Sequence, residues 1–256
     1  MVFAGDIYHF LDNAAPFDTA LDYDNAGLLV GGMDMPVTGI AVALDITPQA
    51  VLLAQQKGCN LLVSHHPVIF NPIKRVKQGT AVYELARFGM SAICAHTNLD
   101  CASGGVNDVL VSLLELQAAQ PLADPEFPHK PPIARLCRLP APMEGPAFAQ
   151  RVKGALQAGC VHFTPASGPV LRVAVCSGAG GDLIAPAKNA GADAIVTGEL
   201  RHHELILARE LDIMAVDAGH FATERPVVPV LAARLAAAFP DLMVTALEED
   251  APFQVI

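Results

Sequence analysis

Three segments of the chain concentrate side chains able to hold a metal: Ser64-His65-His66-Pro67, His96-Thr97-Asn98-Leu99-Asp100 and Gly219-His220-Phe221-Ala222-Thr223-Glu224. Together they offer four imidazoles and two carboxylates, a donor set that suits Zn, Mn, Fe, Ni or Co rather than a structural cysteine-type zinc. Adjacent residues at a strand end point to opposite sides, so His65 and His66 are expected to serve two neighbouring ions rather than chelate one. His220 and Glu224 stand i, i+4 and share a face if a helix carries them, and the two oxygens of Glu224 could bridge. The charge of two divalent ions exceeds that of Asp100 and Glu224, leaving room for a hydroxide. Water between two cations loses its proton near neutral pH, which is hydrolytic chemistry in outline.

Each segment alone has a simpler reading. A His-His doublet can be a polar strand end, His96 and Asp100 a hydrogen-bonded loop pair, and His220 with Glu224 a capping arrangement at a helix start. Their joint occurrence at strand ends favours the metal.

The elements that position these segments follow from periodicity. Gly39 to Asp45 reads as a buried strand, Thr47-Pro48 as the cap and first position of a helix running to Gly58, and Asn60 to Ser64 as the next strand. A helix over Gly79 to Phe88 leads to a third strand, Ser91 to Ala95. The histidines thus fall at strand carboxyl ends, where open α/β sheets bind ligands. After a proline-rich connection, 121–169, with one helix over Ala147 to Ala158, the alternation resumes. Strands are expected at Val170 to Cys176, Ala192 to Thr197, Ile213 to Asp217 and Leu242 to Ala246, and helices at Arg201 to Glu210 and Thr223 to Ala238. The run from Gly58 to Ser64 recurs from Gly191 to Thr197 at an offset of 133 residues, the mark of an internal duplication. The expected fold is α/β: two similar halves with mainly parallel sheets. The first half is 1–120, with 221–256 a candidate to pack back on it, and the second is 170–256.

Composition bounds the rest. The 256 residues are 52% hydrophobic, enough for a sizeable core, and the net charge is −10 with scattered basic residues, so no nucleic-acid groove is expected. Six spread cysteines without a CxxC pair or a signal peptide suggest reduced thiols and a cytoplasmic protein. The Ala-rich stretch Leu231 to Phe239 is too short to span a bilayer, so no membrane partner is expected.

Weaker features have ordinary readings beside functional ones. Asp24 to Gly32 lacks the Lys-Ser/Thr ending of a phosphate loop and reads as a turn before a strand. Ser103 to Asn107 opens a helix whose N–H groups could face an anion near Asp100. His202 and His203 follow a strand and are candidates to touch substrate or to lie on a polar helix face. Ser177 to Gly181 is Gly-rich without a dinucleotide fingerprint, and Cys101 reads as a small buried thiol.

DNAGLLVG at 24–31, LLVSHHPVIF at 61–70, AHTNLD at 95–100 with GGVND at 104–108, TGELRHHE at 197–204 and GHFATE at 219–224 resemble, in order and over essentially the whole chain, the NIF-three-like family of dinuclear-metal proteins. Its members are labelled in many genomes as GTP cyclohydrolase I type 2 homologues. The resemblance is to the compact form, because 121–169 is too short for an inserted domain. It implies two similar α/β halves around a central metal-binding cleft, a toroidal homohexamer, and two divalent ions per chain on His65, His66, Asp100, His220 and Glu224, with Glu224 bridging. It implies that His96 lines the site as ligand or proton shuttle, and that His203 lies near the metal side of the cleft. The implied reaction is hydrolytic opening of the GTP imidazole ring with release of formate. The residues themselves show neither a guanine-reading pocket nor a strong triphosphate clamp, so the broader expectation is a hydrolase of a nucleotide or other phosphorylated metabolite. A metallophosphoesterase and a non-enzymatic metal-binding scaffold are the alternatives.

Overall fold

The computed structural model describes residues 1–123, 128, 129, 131–165 and 167–254. In chain order the elements are α1 (Ala4–Ala14), β1 (Gly27–Val30), β2 (Gly39–Ala43), α2 (Pro48–Gln56), β3 (Leu61–Ser64), α3 (Ala81–Phe88), β4 (Ser91–Cys94) and α4 (Thr97–Cys101). They continue with α5 (Val106–Leu113), β5 (Gln117–Leu122), β6 (Ala134–Met143), α6 (Gly145–Leu156), β7 (His162–Phe163), β8 (Val170–Val175), α7 (Ile184–Asn189), β9 (Ala194–Thr197), α8 (His202–Glu210), β10 (Met214–Asp217), α9 (His220–Glu224), α10 (Val227–Ala238) and β11 (Met243–Ala246). The chain forms two compact units, one of residues 1–103 with 227–250, the other of 104–226 with 251–256.

The first unit carries the sheet β1-β4-β3-β2-β11, parallel except for the antiparallel edge strand β1. Every residue of β2, β3 and β4 is buried, as a parallel sheet covered on both faces requires. Thr47 caps α2 by accepting from the Ala50 N–H at 3.1 Å, with Pro48 at the first helical position, where its missing N–H costs nothing. Thr80 caps α3, and Gly89, at φ 62°, ends it. One face of the sheet packs Ala41, Leu62 and Ala92 against Val51 of α2 and Leu85 of α3. Burying a side chain such as Leu62 contributes about 1.5–3 kcal/mol.

In the second unit the order is β5-β6-β8-β9-β10-β7, with β8, β9 and β10 parallel and the flanking strands antiparallel. Phe148 and Val152 of α6 cover Val173, Val175 and Val196 on one face. Ile184 and Ala187 of α7 with Ala208 of α8 cover Ala174, Ile195 and Ala215 on the other.

The duplication read from the sequence reaches the backbone. Ile40 pairs with Leu61 and Val173 with Ala194, so β2-β3 and β8-β9 share one register at the 133-residue offset, while the next parallel partners, Ser91 of β4 and Met214 of β10, fall ten residues short of it. An antiparallel strand flanks the third strand in each unit, β1 on β4 and β7 on β10, and a five-residue helix follows it, α4 or α9.

Several boundaries differ from those expected. The division falls at 103/104 instead of near 120, and residues 121–169 are part of the second unit, supplying β6, α6 and β7. Pro140 and Pro142 sit where the β6–β8 ladder is interrupted, between Arg138 and Met143, and these prolines disguise a ten-residue strand as a connection. Residues 124–127, 130 and 166 of that stretch, and 255–256, lie outside the described residues. The helix expected over 223–238 is two helices, broken at Arg225-Pro226 because proline lacks the N–H the ladder needs. Thr97–Cys101 forms the short helix α4, to which no element was assigned from periodicity. No helix among the described residues is long and apolar enough to cross a membrane.

Candidate metal centre

In the first unit β3 and β4 lie side by side and parallel, so the residues beyond their carboxyl ends emerge together. Strand geometry stops at Ser64, and the bend that follows brings the His65 and His66 rings to the same side, with centroids 5.1 Å apart. The expected opposition of the two rings therefore does not hold. The His96 ring completes a triangle at 5.2 Å from His65 and 5.6 Å from His66, and one nitrogen from each of the three lies within 4.8 Å of the others.

Each ring is oriented from behind. His65 Nδ1 donates to the Ala95 carbonyl at 3.0 Å, His66 Nδ1 lies 2.9 Å from Asp45 Oδ1, and His96 Nδ1 lies 2.7 Å from Asp24 Oδ1. An oxygen at Nδ1 puts the ring proton there and the lone pair on Nε2, the arrangement of metal-ligating histidine. His65 Nε2 is 3.7 Å from Oδ1 of Asp100, on α4. Buried Cys94 donates to the His65 carbonyl, and burial pushes its thiol well above its ordinary range, so it stays protonated.

Asp24 is fully buried at its carboxylate. Its Oδ2 accepts from the Thr97 N–H at 3.1 Å and the Thr97 hydroxyl at 2.5 Å. Burial opposes its ionisation, but the hydrogen bonds from His96 and Thr97 together outweigh that and hold it well below the usual carboxylate range. At neutral pH Asp24 is a fixed negative charge behind His96.

In the second unit His220 and Glu224 occupy the two ends of α9, with His220 Nε2 3.1 Å from Glu224 Oε2. His220 Nδ1 lies 3.2 Å from Glu199 Oε2, repeating the pattern of the other three histidines. Glu224 is buried among backbone: Gly178, at φ 61°, leaves no space for a Cβ, which would collide with Glu224 Oε1. The Gly178 N–H donates to Thr223 Oγ1 at 3.2 Å, so the Gly-rich loop is packed onto α9. This close approach gives the Ser177–Gly181 loop its glycine.

The structure thus brings His65, His66, His96 and Asp100 together in one unit and His220 with Glu224 in the other. His202 and His203 open α8 and are exposed, with His203 at 4.0 Å from Glu204. The entry of α5 is occupied by its own side chain, because the Gly104 N–H donates to Asp108 Oδ2 at 2.6 Å. Within Asp24 to Gly32, the strand expected after the turn is β1, Gly27–Val30. Three carboxylates behind the imidazoles were missed in the sequence: Asp24, Asp45 and Glu199. Asp45 and Glu199 each follow a strand's carboxyl end, and Glu199 sits at the duplication offset from His66, signals that could have found both.

Fold and donors together define an α/β protein with imidazole and carboxylate groups able to bind a metal. Residues 3–252 match the model of the family described as Duf34/NIF3 (NGG1p interacting factor 3), and the chain belongs to that family. A Clostridium acetobutylicum protein named GTP cyclohydrolase 1 type 2 homolog is 30% identical over 236 residues, covering 90% of this chain and 88% of that one. A Streptomyces coelicolor protein of the same name is 34% identical over 235 residues, covering 88% and 82%. Among solved structures, a Staphylococcus aureus hypothetical protein superposes with a TM-score of 0.91 at 27% identity, covering 100% of this chain and 99% of that one. Reduced HcgD from Methanocaldococcus jannaschii superposes with a TM-score of 0.81 at 27% identity, covering 97% and 98%.

Proposed function

We propose that the protein is a cytoplasmic metal-dependent hydrolase in which His65, His66, Asp100, His220 and Glu224 hold two divalent ions. One observation carries this reading: all four histidines set Nδ1 against an oxygen and present Nε2, three of the oxygens belonging to Asp45, Asp24 and Glu199. Such backing fixes the ring orientation and raises ligand basicity, and it is what metal-binding imidazoles need. These residues offer both neutral nitrogen and anionic oxygen, as Zn, Mn, Fe, Ni or Co accepts. Bound divalent ions would lower the pKa of coordinated water towards neutrality and polarise the substrate.

The chain's own residues supply the rest. His96, held by Asp24, is placed to take a proton through Nε2 and return it to the leaving group, while the ionised Asp24 stabilises the imidazolium formed in between. His65 and Glu224 are each buried, so bulk water has little access to either side chain. The substrate class is a nucleotide or related phosphorylated metabolite. The names of the Clostridium and Streptomyces relatives favour GTP as substrate, and the reaction then proposed is opening of its imidazole ring with release of formate. A toroidal homohexamer is the proposed assembly.

The test is to supply the metal-loaded protein with GTP and assay formate and phosphate in parallel. Formate release supports the ring-opening hydrolase, and phosphate release alone makes the protein a phosphoesterase. Neither product from GTP or from a panel of phosphoesters would overturn the enzymatic reading and leave a metal-binding scaffold.

A further inference from the structure

We infer that Tyr23, Phe70 and the basic segment Lys74-Arg75-Val76-Lys77 form a substrate subsite, the two rings taking a planar ring of the substrate and the three cations its phosphates. The inference rests on the hydrolase reading above and names the residues by which that site would recognise its substrate.

The first observation is the exposure of two aromatic rings beside the histidine triangle. Tyr23 is 64% exposed and Phe70 45%, in a chain with 14 Phe and Tyr residues, most of which are better covered. Their ring centroids are 6.4 Å apart, and Phe70 stands edge-on to His96 at 6.3 Å. Leaving rings in water forgoes their burial, whereas a flat heteroaromatic ring laid on them recovers it.

The second observation is charge. From His65 to Thr80 the chain has no acidic residue although it contains 26 in all, and three of its 16 cations fall within the four positions 74–77. All three are exposed, and none pairs with a carboxylate among the described residues. The basic residues are thus less scattered than the overall count suggests. The net charge of −10 does not cancel this cluster, because screening limits its reach to about 8 Å at physiological ionic strength.

The third is attachment. The Asn25 side-chain amide donates to the Ile69 carbonyl at 2.6 Å, tying the start of this segment to the residue beside Asp24, which holds His96. Lys74 lies four residues beyond Phe70, so the cations begin no more than about 14 Å of extended chain from the ring, a span that a ribose with its phosphates covers.

The experiment is equilibrium dialysis of the full-length protein against GTP, guanosine and tripolyphosphate at physiological ionic strength. Phe70→Ala or Tyr23→Ala is expected to weaken GTP and guanosine at least fivefold while leaving tripolyphosphate within twofold. The triple variant Lys74→Gln/Arg75→Gln/Lys77→Gln is expected to weaken GTP and tripolyphosphate at least tenfold and spare guanosine. Wild-type protein that binds none of the three probes, or variants that all bind GTP as tightly as wild type, would overturn the subsite. Metal content and turnover on the same samples separate the two readings. Intact turnover with unchanged KM in the variants sinks the subsite alone, and variant-sensitive GTP binding by a protein that takes up no metal sinks the hydrolase alone.

Discussion

Asp24 Oδ1 lies 2.7 Å from His96 Nδ1, and the same buried carboxylate receives both the backbone N–H and the hydroxyl of Thr97. One side chain thereby fixes the tautomer of His96 and the start of α4, the helix that carries Asp100. In the proposed hydrolase that single group would serve both proton handling by His96 and placement of Asp100.

Replacing Asp24 by Asn keeps the shape but sets an N–H₂ group against at least one donor. Stability should fall by about 1–3 kcal/mol, read by urea unfolding. On whichever substrate is turned over, kcat should drop about 10²- to 10⁴-fold with little change in KM, because the imidazolium loses its counter-charge. An unchanged kcat would show that His96 moves no proton.

Gly178→Ala tests the packing behind Glu224 without touching a donor. The new Cβ meets Glu224 Oε1, and the backbone sits in the left-handed region, which costs a non-glycine residue about 1–2 kcal/mol. The variant should unfold earlier on heating and bind metal less tightly. Wild-type metal retention would mean that the position of Glu224 is not critical.

Glu204 predicts a pH dependence. It is buried at the start of α8, where burial disfavours its charge, but hydrogen bonds from the Arg201 N–H at 2.6 Å and guanidinium at 2.7 Å prevail and lower its pKa. With the folded value below the unfolded one, its stabilisation is complete above about pH 4.3 and is lost as pH falls through the depressed value. Glu204→Gln should be less stable than wild type at pH 7, by roughly 1–3 kcal/mol, and the difference should shrink towards pH 3. A difference independent of pH would assign the effect to packing.

Much of this was legible in the sequence because the parallel strands are nearly continuous apolar runs, bounded by Thr47-Pro48, Gly58 and Gly191, residues with one structural reading each. The cluster of His65, His66 and His96 was legible because all three fall just beyond strand carboxyl ends, where open α/β sheets bind ligands. Asp24 was not: an acid in a Gly-containing run reads as a turn, and only the tertiary approach of residues 24 and 96 gives it a role. β6 escaped because Arg135, Arg138 and two prolines break the alternation that marks a strand. The split of the last long helix depended on Pro226, a signal present but outweighed by the apolar run after it.

The central claim is the dinuclear centre, and metal content per chain tests it most directly. Protein purified without a metal-affinity tag should carry about two transition-metal ions per chain, as expected if His65, His66, Asp100, His220 and Glu224 are ligands. His65→Ala and Glu224→Gln should each lose at least one while circular dichroism shows the fold retained. Substoichiometric metal that neither substitution changes would contradict the account.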